Sequence, residues 1–224
     1  MASPSVTRWG SDGDPVALLP GFGSTVAADF GFLGPMLGRS QRVIGVDALD
    51  VGAPGQDVLS RGERPLHLVG YGAGAALALR LASGTATVSA ATVTLIAPVL
   101  SPSTPDIPFL SAPFRALRPE AQEPVIDRAR AAAELAALNG VDLLARAASI
   151  TAPMLVIRCA DDALAAPDDA LRLVDAAPDA RLASVESGHG VFVERPAEVL
   201  ALLTRFLTDP HAHPAGTSYR AAAA

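Results

Sequence analysis

Short, nearly unbroken apolar runs recur along the chain, separated by longer stretches in which Ala and Leu mix with polar residues. The runs are Val16–Leu19, Arg42–Val46, Leu66–Gly70, Thr92–Ala97, Met154–Arg158 and Arg181–Val185. Runs this short, without strict polar alternation, read as strands covered on both faces. Helical patterns fall between them at Gly72–Leu81, Ala121–Leu138, Pro167–Ala176 and Pro196–Leu207. Pro196 suits a first helical turn, where its missing N–H has no partner to lose. The alternation predicts an α/β fold, a mostly parallel sheet with helices on both faces.

Two segments break this rhythm. Ser101–Pro119 is rich in Pro and Ser and is followed by helical material to about Ser149, so residues 101–149 read as a short cap insertion over the sheet edge. Residues 1–100 and 150–207 then form the core. The stretch 208–224 has no apolar period and reads as a disordered tail. Only Val6–Trp9 is available as a strand before the first buried run, which leaves the sheet an exposed edge that invites pairing in a homodimer.

Composition narrows the function classes. Half of the 224 residues are hydrophobic and 18% are charged, which excludes a chain disordered over most of its length. The net charge is −6 and every basic residue is Arg, a balance that argues against a nucleic-acid or anionic membrane partner. The start of the chain has no apolar signal core, and no stretch reaches membrane-spanning length, so the expected location is the cytoplasm. The single Cys159 rules out an internal disulfide and reads as a buried small hydrophobe. His67 reads as a core histidine, and His211 and His213 make too few ligands for a metal site.

Unusual residues cluster after the apolar runs, where ligands gather in parallel sheets. Leu19 is followed by Pro20-Gly21-Phe22-Gly23-Ser24, and Leu66–Val69 by Gly70-Tyr71-Gly72-Ala73-Gly74. Further on, Asp161-Asp162 precedes Gly188-His189-Gly190 by about 27 residues, with Pro153-Met154-Leu155-Val156-Ile157 and Glu194-Arg195-Pro196 flanking them. Together with Asp47 after the second run, these pieces resemble an α/β-hydrolase in order and spacing over about residues 14 to 207. The resemblance implies that Gly70–Gly74 is the nucleophile elbow, His189 the catalytic histidine and Asp162 its acid, with Asp161 the rival. It also implies that the amides of Phe22 and Ala73 are oxyanion donors.

The departure is at the elbow, where Gly72 stands in place of the family's Ser, Cys or Asp. Glycine offers no atom that attacks carbon, so an acyl-enzyme at this position is excluded. A His189–Asp162 dyad still fits a general base acting on a small carbonyl substrate, by elimination, cyclisation, C–C cleavage or direct water attack. Two alternatives remain open. One is a ligand-binding pseudo-hydrolase that has lost catalysis. The other is an esterase or thioesterase that uses a displaced serine, or a hydrolase whose nucleophile was exchanged for glycine by design. Ser24 and Ser101 are the candidate displaced serines or substrate contacts, and Tyr71, Phe22, Phe109, Phe114 and Phe192 candidate pocket walls. The elbow lacks the Lys-Ser/Thr of a phosphate loop and the spacing of a dinucleotide fingerprint, so no cofactor is implied.

Overall fold

The computed structural model describes residues 5–47, 59, 65–84, 88–100, 127–138 and 140–219. Seven strands form one sheet: β1 Val6–Trp9, β2 Pro15–Leu19, β3 Arg42–Val46, β4 Leu66–Tyr71, β5 Ala90–Ile96, β6 Met154–Cys159 and β7 Ala180–Val185. Their order is β1-β3-β2-β4-β5-β6-β7, all parallel except β1, which runs antiparallel to β3 with Val6 opposite Val46 and Trp9 opposite Val43. Every apolar run predicted as a strand is one, to within two residues at its ends.

Burial explains why these runs are so apolar. Successive side chains of a strand point to opposite faces. Ala17 and Leu19 of β2 therefore join one core with Leu68, Leu79, Leu95, Val156 and Leu173. Val16 and Leu18 join the other with Phe30, Leu33, Leu155, Leu203 and Phe206. The first core is closed by α3 Ala73–Ser83, α4 Arg128–Leu138, α5 Leu143–Ala148 and α6 Pro167–Ala176. The second is closed by α1 Val26–Phe30, α2 Leu33–Leu37 and α8 Pro196–Thr208, with the short α7 Val191–Glu194 leading into α8. Helices α1, α2, α5 and α7 have only four to six residues each, too short to carry a readable period.

Residues 101–126, with Ser101, Phe109 and Phe114, lie outside the described residues, as does the start of the expected helix at Ala121. Of the expected cap, α4 and α5 are described. Among the described residues, no helix is long and apolar enough to cross a membrane.

The segment after Thr208 corrects the expectation of a disordered tail as far as Tyr219. It returns along β7: Gly216 N–H donates to Ala180 O at 2.8 Å, Leu182 N–H to Thr217 O at 3.2 Å and Tyr219 N–H to Leu182 O at 2.6 Å. Arg181, 2% exposed, holds the His213 carbonyl at 2.7 Å and the Asp179 carboxylate at 2.6 Å. Tyr219 is buried edge-on against Phe206, with the Arg205 guanidinium 5.6 Å from its ring centre. The anchor is backbone pairing plus one aromatic, neither of which produces an apolar period. Part of the β7 edge is thereby covered. Tyr219→Ala is expected to lower unfolding stability by about 3 kcal/mol, as for other fully buried aromatics, in denaturant titration. A loss under ~1 kcal/mol would show that the strap is held by its backbone alone.

Candidate active site

Strand β4 runs into α3 through a single sharp turn at Gly72, whose φ of +52° and ψ of −112° lie where side-chain-bearing residues are strained. The turn is fixed by its own backbone: Gly72 N–H donates to Ile96 O at 3.0 Å, and Ala75 N–H donates to Gly72 O at 3.2 Å. The flanking glycines are demanded by packing. A Cβ at Gly70 would run into the Gly74 carbonyl, and one at Gly74 into the carbonyl of Leu19. Gly72 is different. Among the described residues, the atoms nearest to a Cβ there are His189 Nε2 at 3.5 Å, Gly21 Cα at 3.8 Å and His189 Cε1 at 3.8 Å, all ordinary contacts. Space does not require glycine at this position; the backbone angle favours it.

His189 follows β7, and Asp162 follows β6. His189 Nδ1 lies 2.8 Å from Asp162 Oδ2, while Asp162 Oδ1 accepts the N–H groups of Leu164 at 2.8 Å and Ala165 at 3.0 Å. Burial alone would raise the Asp162 carboxyl. The hydrogen bond and charge of His189, with the two amides, outweigh it and hold the group below its ordinary value. Asp161 is exposed, and it is Asp162 that meets the histidine. Asp162 meets the ring at Nδ1, which leaves Nε2 as the nitrogen that faces the Gly72 turn.

Tyr71 supports this arrangement from beneath. Its hydroxyl donates to the His189 carbonyl at 2.7 Å, and its ring meets Phe192 edge to face at 4.8 Å, which in turn lies 4.9 Å from Phe30. Tyr71, expected as a pocket wall, is only 7% exposed and serves as a prop for the histidine loop. The Gly188 N–H, donating to Glu194 Oε2 at 3.0 Å, ties the same loop to α7.

The loop after β2 lies across from Gly72. Phe22 is buried in the first core. Ala73 opens α3, where the first amides of a helix have no intrahelical partner. Ser24 is buried, and its hydroxyl donates to Asp29 Oδ1 at 2.7 Å; among the described residues it makes no hydrogen bond to His189. Asp47 does structural work at the start of α1, accepting Val26 N–H at 2.5 Å. His67 bonds Thr92 Oγ1 at 2.9 Å inside the sheet, and the Cys159 thiol is pushed up to about 12 by burial, so neither is poised for chemistry. His211 and His213 diverge, one toward Asp179 at 3.9 Å and the other against Tyr219.

Sequence reasoning missed two acids here. Asp29 on α1 accepts Gly21 N–H at 2.8 Å as well as the Ser24 hydroxyl, and Glu134 on α4 accepts Gly23 N–H at 2.8 Å. Each is a lone carboxylate inside an apolar helical stretch, which is the one signal that could have flagged it. Burial pushes the Asp29 carboxyl up to about 6 against an ordinary 3.8. The folded chain therefore holds a proton that the unfolded chain has already lost, and stability falls as pH rises from about 4 to 6. Asp29→Asn removes that penalty. Relative to the parent, the variant is expected to gain on the order of 2–3 kcal/mol between pH 4 and pH 7.5 in denaturant unfolding. An equal stability gap at both pH values would refute the assignment.

No family model matches the sequence, and no curated protein matches it. Solved structures do match. The enol-lactonase from Burkholderia xenovorans LB400 superimposes with a TM-score of 0.75 at 19% identity, over 92% of this chain and 96% of that one. A hydrolase from Pseudomonas aeruginosa PA01 gives 0.71 at 24% identity, covering 90% and 93%. An E-2-(acetamidomethylene)succinate hydrolase gives 0.69 at 21% identity, covering 92% and 95%. The chain has the α/β-hydrolase fold that its motifs led us to expect.

Proposed function

We propose that this α/β-hydrolase-fold chain is an enzyme that acts on a small carbonyl compound without forming an acyl-enzyme. His189, oriented by Asp162, takes a proton from the substrate or from a water molecule. A C–H electron pair released from substrate moves toward the carbonyl oxygen, whereas hydroxide released from water bonds the carbonyl carbon and pushes the C=O π pair onto the oxygen; in both cases the developing charge is met by the amides of Phe22 and Ala73. The observation that carries this reading is the 3.5 Å between His189 Nε2 and the place a Gly72 Cβ would occupy. The base is paired with its acid, and its Nε2 faces the place where a side chain at position 72 would begin.

Two considerations support it. Ser24 gives its hydroxyl hydrogen to Asp29, which counts against it as a displaced nucleophile. Structural neighbours named for an enol-lactone and for E-2-(acetamidomethylene)succinate support a small carbonyl substrate. The test is a panel of such compounds incubated with the chain and with His189→Ala, product being followed by mass spectrometry. Turnover lost in the variant supports general-base catalysis, and turnover unchanged overturns it. A compound that raises the thermal midpoint and yields no product would make the chain a binding protein.

A further inference from the structure

Three successive amides follow β2, at Gly21, Phe22 and Gly23, and buried carboxylates take the first and the third. Gly21 N–H donates to Asp29 Oδ2 and Gly23 N–H to Glu134 Oε2, each at 2.8 Å. The amide between them, Phe22, donates to no acceptor among the described residues. The two acids come from opposite sides. Asp29 stands on α1, where it also receives the Ser24 hydroxyl, and Glu134 stands on α4. The start of α4 grips the same residue a second time, because Asp127 N–H donates to the Gly23 carbonyl at 2.9 Å. At its other end the loop touches the elbow, with Gly21 Cα 3.8 Å from where a Gly72 Cβ would stand.

We infer that Asp29 and Glu134 are positioning residues that clamp this loop and leave the Phe22 amide as its one free donor beside Gly72. A carboxylate is a stronger acceptor than a neutral carbonyl, and a buried one must find donors or stand unsatisfied. Taking the two outer amides fixes both peptide planes, and the middle plane is then set by its neighbours. The same clamp makes α4 part of the site, since α4 cannot move without releasing Gly23. Arg130, one turn before Glu134 on α4, forms an ion pair with it at 3.1 Å and offsets negative charge that would oppose an oxyanion.

The role assigned to the Phe22 amide rests on the function proposed above; the clamp does not, and two measurements keep them apart. The first is amide hydrogen exchange in the full chain by nuclear magnetic resonance. Gly21 and Gly23 are expected to be protected while Phe22 exchanges fast, and Glu134→Ala should accelerate Gly23 whereas Glu134→Gln, which keeps an acceptor oxygen, should not. Unprotected Gly21 and Gly23 amides in the parent chain would overturn the clamp whether or not any variant folds. The second uses Gly72→Ser with a p-nitrophenyl ester. Adding Glu134→Ala should lower kcat about 100-fold, at the lower end for a lost oxyanion donor, with KM within about 3-fold. Glu134→Gln should restore most of it. Protected amides with an unaffected kcat would keep the clamp and remove its catalytic role. If Gly72→Ser hydrolyses nothing, the functional reading fails and the exchange pattern still decides the clamp.

Discussion

Gly72→Ser is expected to give this chain His189-dependent esterase activity, at a rate on the order of 10³ or more above the unsubstituted protein. The geometry is already in place. A Cβ at Gly72 falls 3.5 Å from His189 Nε2 with nothing closer, so an Oγ one bond further comes within hydrogen-bonding reach of the base. Asp162 already holds Nδ1 at 2.8 Å and so leaves Nε2 as the acceptor of the serine proton. Serine at φ +52° costs about 1–3 kcal/mol of backbone strain, so the thermal midpoint should drop by a few degrees while the fold survives. Covalent labelling by a fluorophosphonate should appear in Gly72→Ser and disappear when His189→Ala is added. If a well-folded Gly72→Ser neither labels nor hydrolyses short-chain esters, the base and the elbow do not form a working pair. The general-base reading would then lose its main support.

How far the sequence announced this site depends on how each part is built. The six parallel strands and the long helices declare themselves, because burial on both faces forces unbroken apolar runs and packing on one face forces a helical period. His189, Asp162 and Gly72 are legible for a second reason: each sits within four residues of the end of a strand, and glycines mark the turns at Gly72 and His189. The sequence left Asp161 and Asp162 open, since neighbouring acids in one turn look alike. The structure separates them by burial, with the Asp162 side chain 2% exposed beside His189 and Asp161 at the surface. Asp29 and Glu134 were not legible at all. Their importance comes from which amide each one meets, across 8 residues for Asp29 and 111 for Glu134, and no local pattern encodes that meeting. The strap around Tyr219 escaped for a similar reason, being held by backbone pairing to an edge strand that any sequence can provide.

The second large effect is expected at Asp162. Asn in its place keeps the shape and an oxygen, but it no longer dictates which ring nitrogen of His189 carries the proton, and it removes the charge that stabilises the imidazolium. In Gly72→Ser, Asp162→Asn should therefore lower kcat on the order of 10³- to 10⁴-fold with little change in KM. His189→Ala should cost at least as much, and the two together no more than the worse of them, because one proton-transfer unit can be removed only once. Stability adds an independent check of the pairing. The Asp162 carboxyl is held below its ordinary value, so the folded chain gains stability from its ionisation, fully present above the unfolded value near 4 and lost as pH falls through the folded one. Asp162→Asn should then destabilise the chain at pH 7 and progressively less toward pH 3. Losses in kcat that simply add for the two substitutions would mean that Asp162 and His189 act separately. A kcat loss under tenfold for Asp162→Asn would leave the dyad as a structural contact between β6 and β7, with the chemistry sought elsewhere.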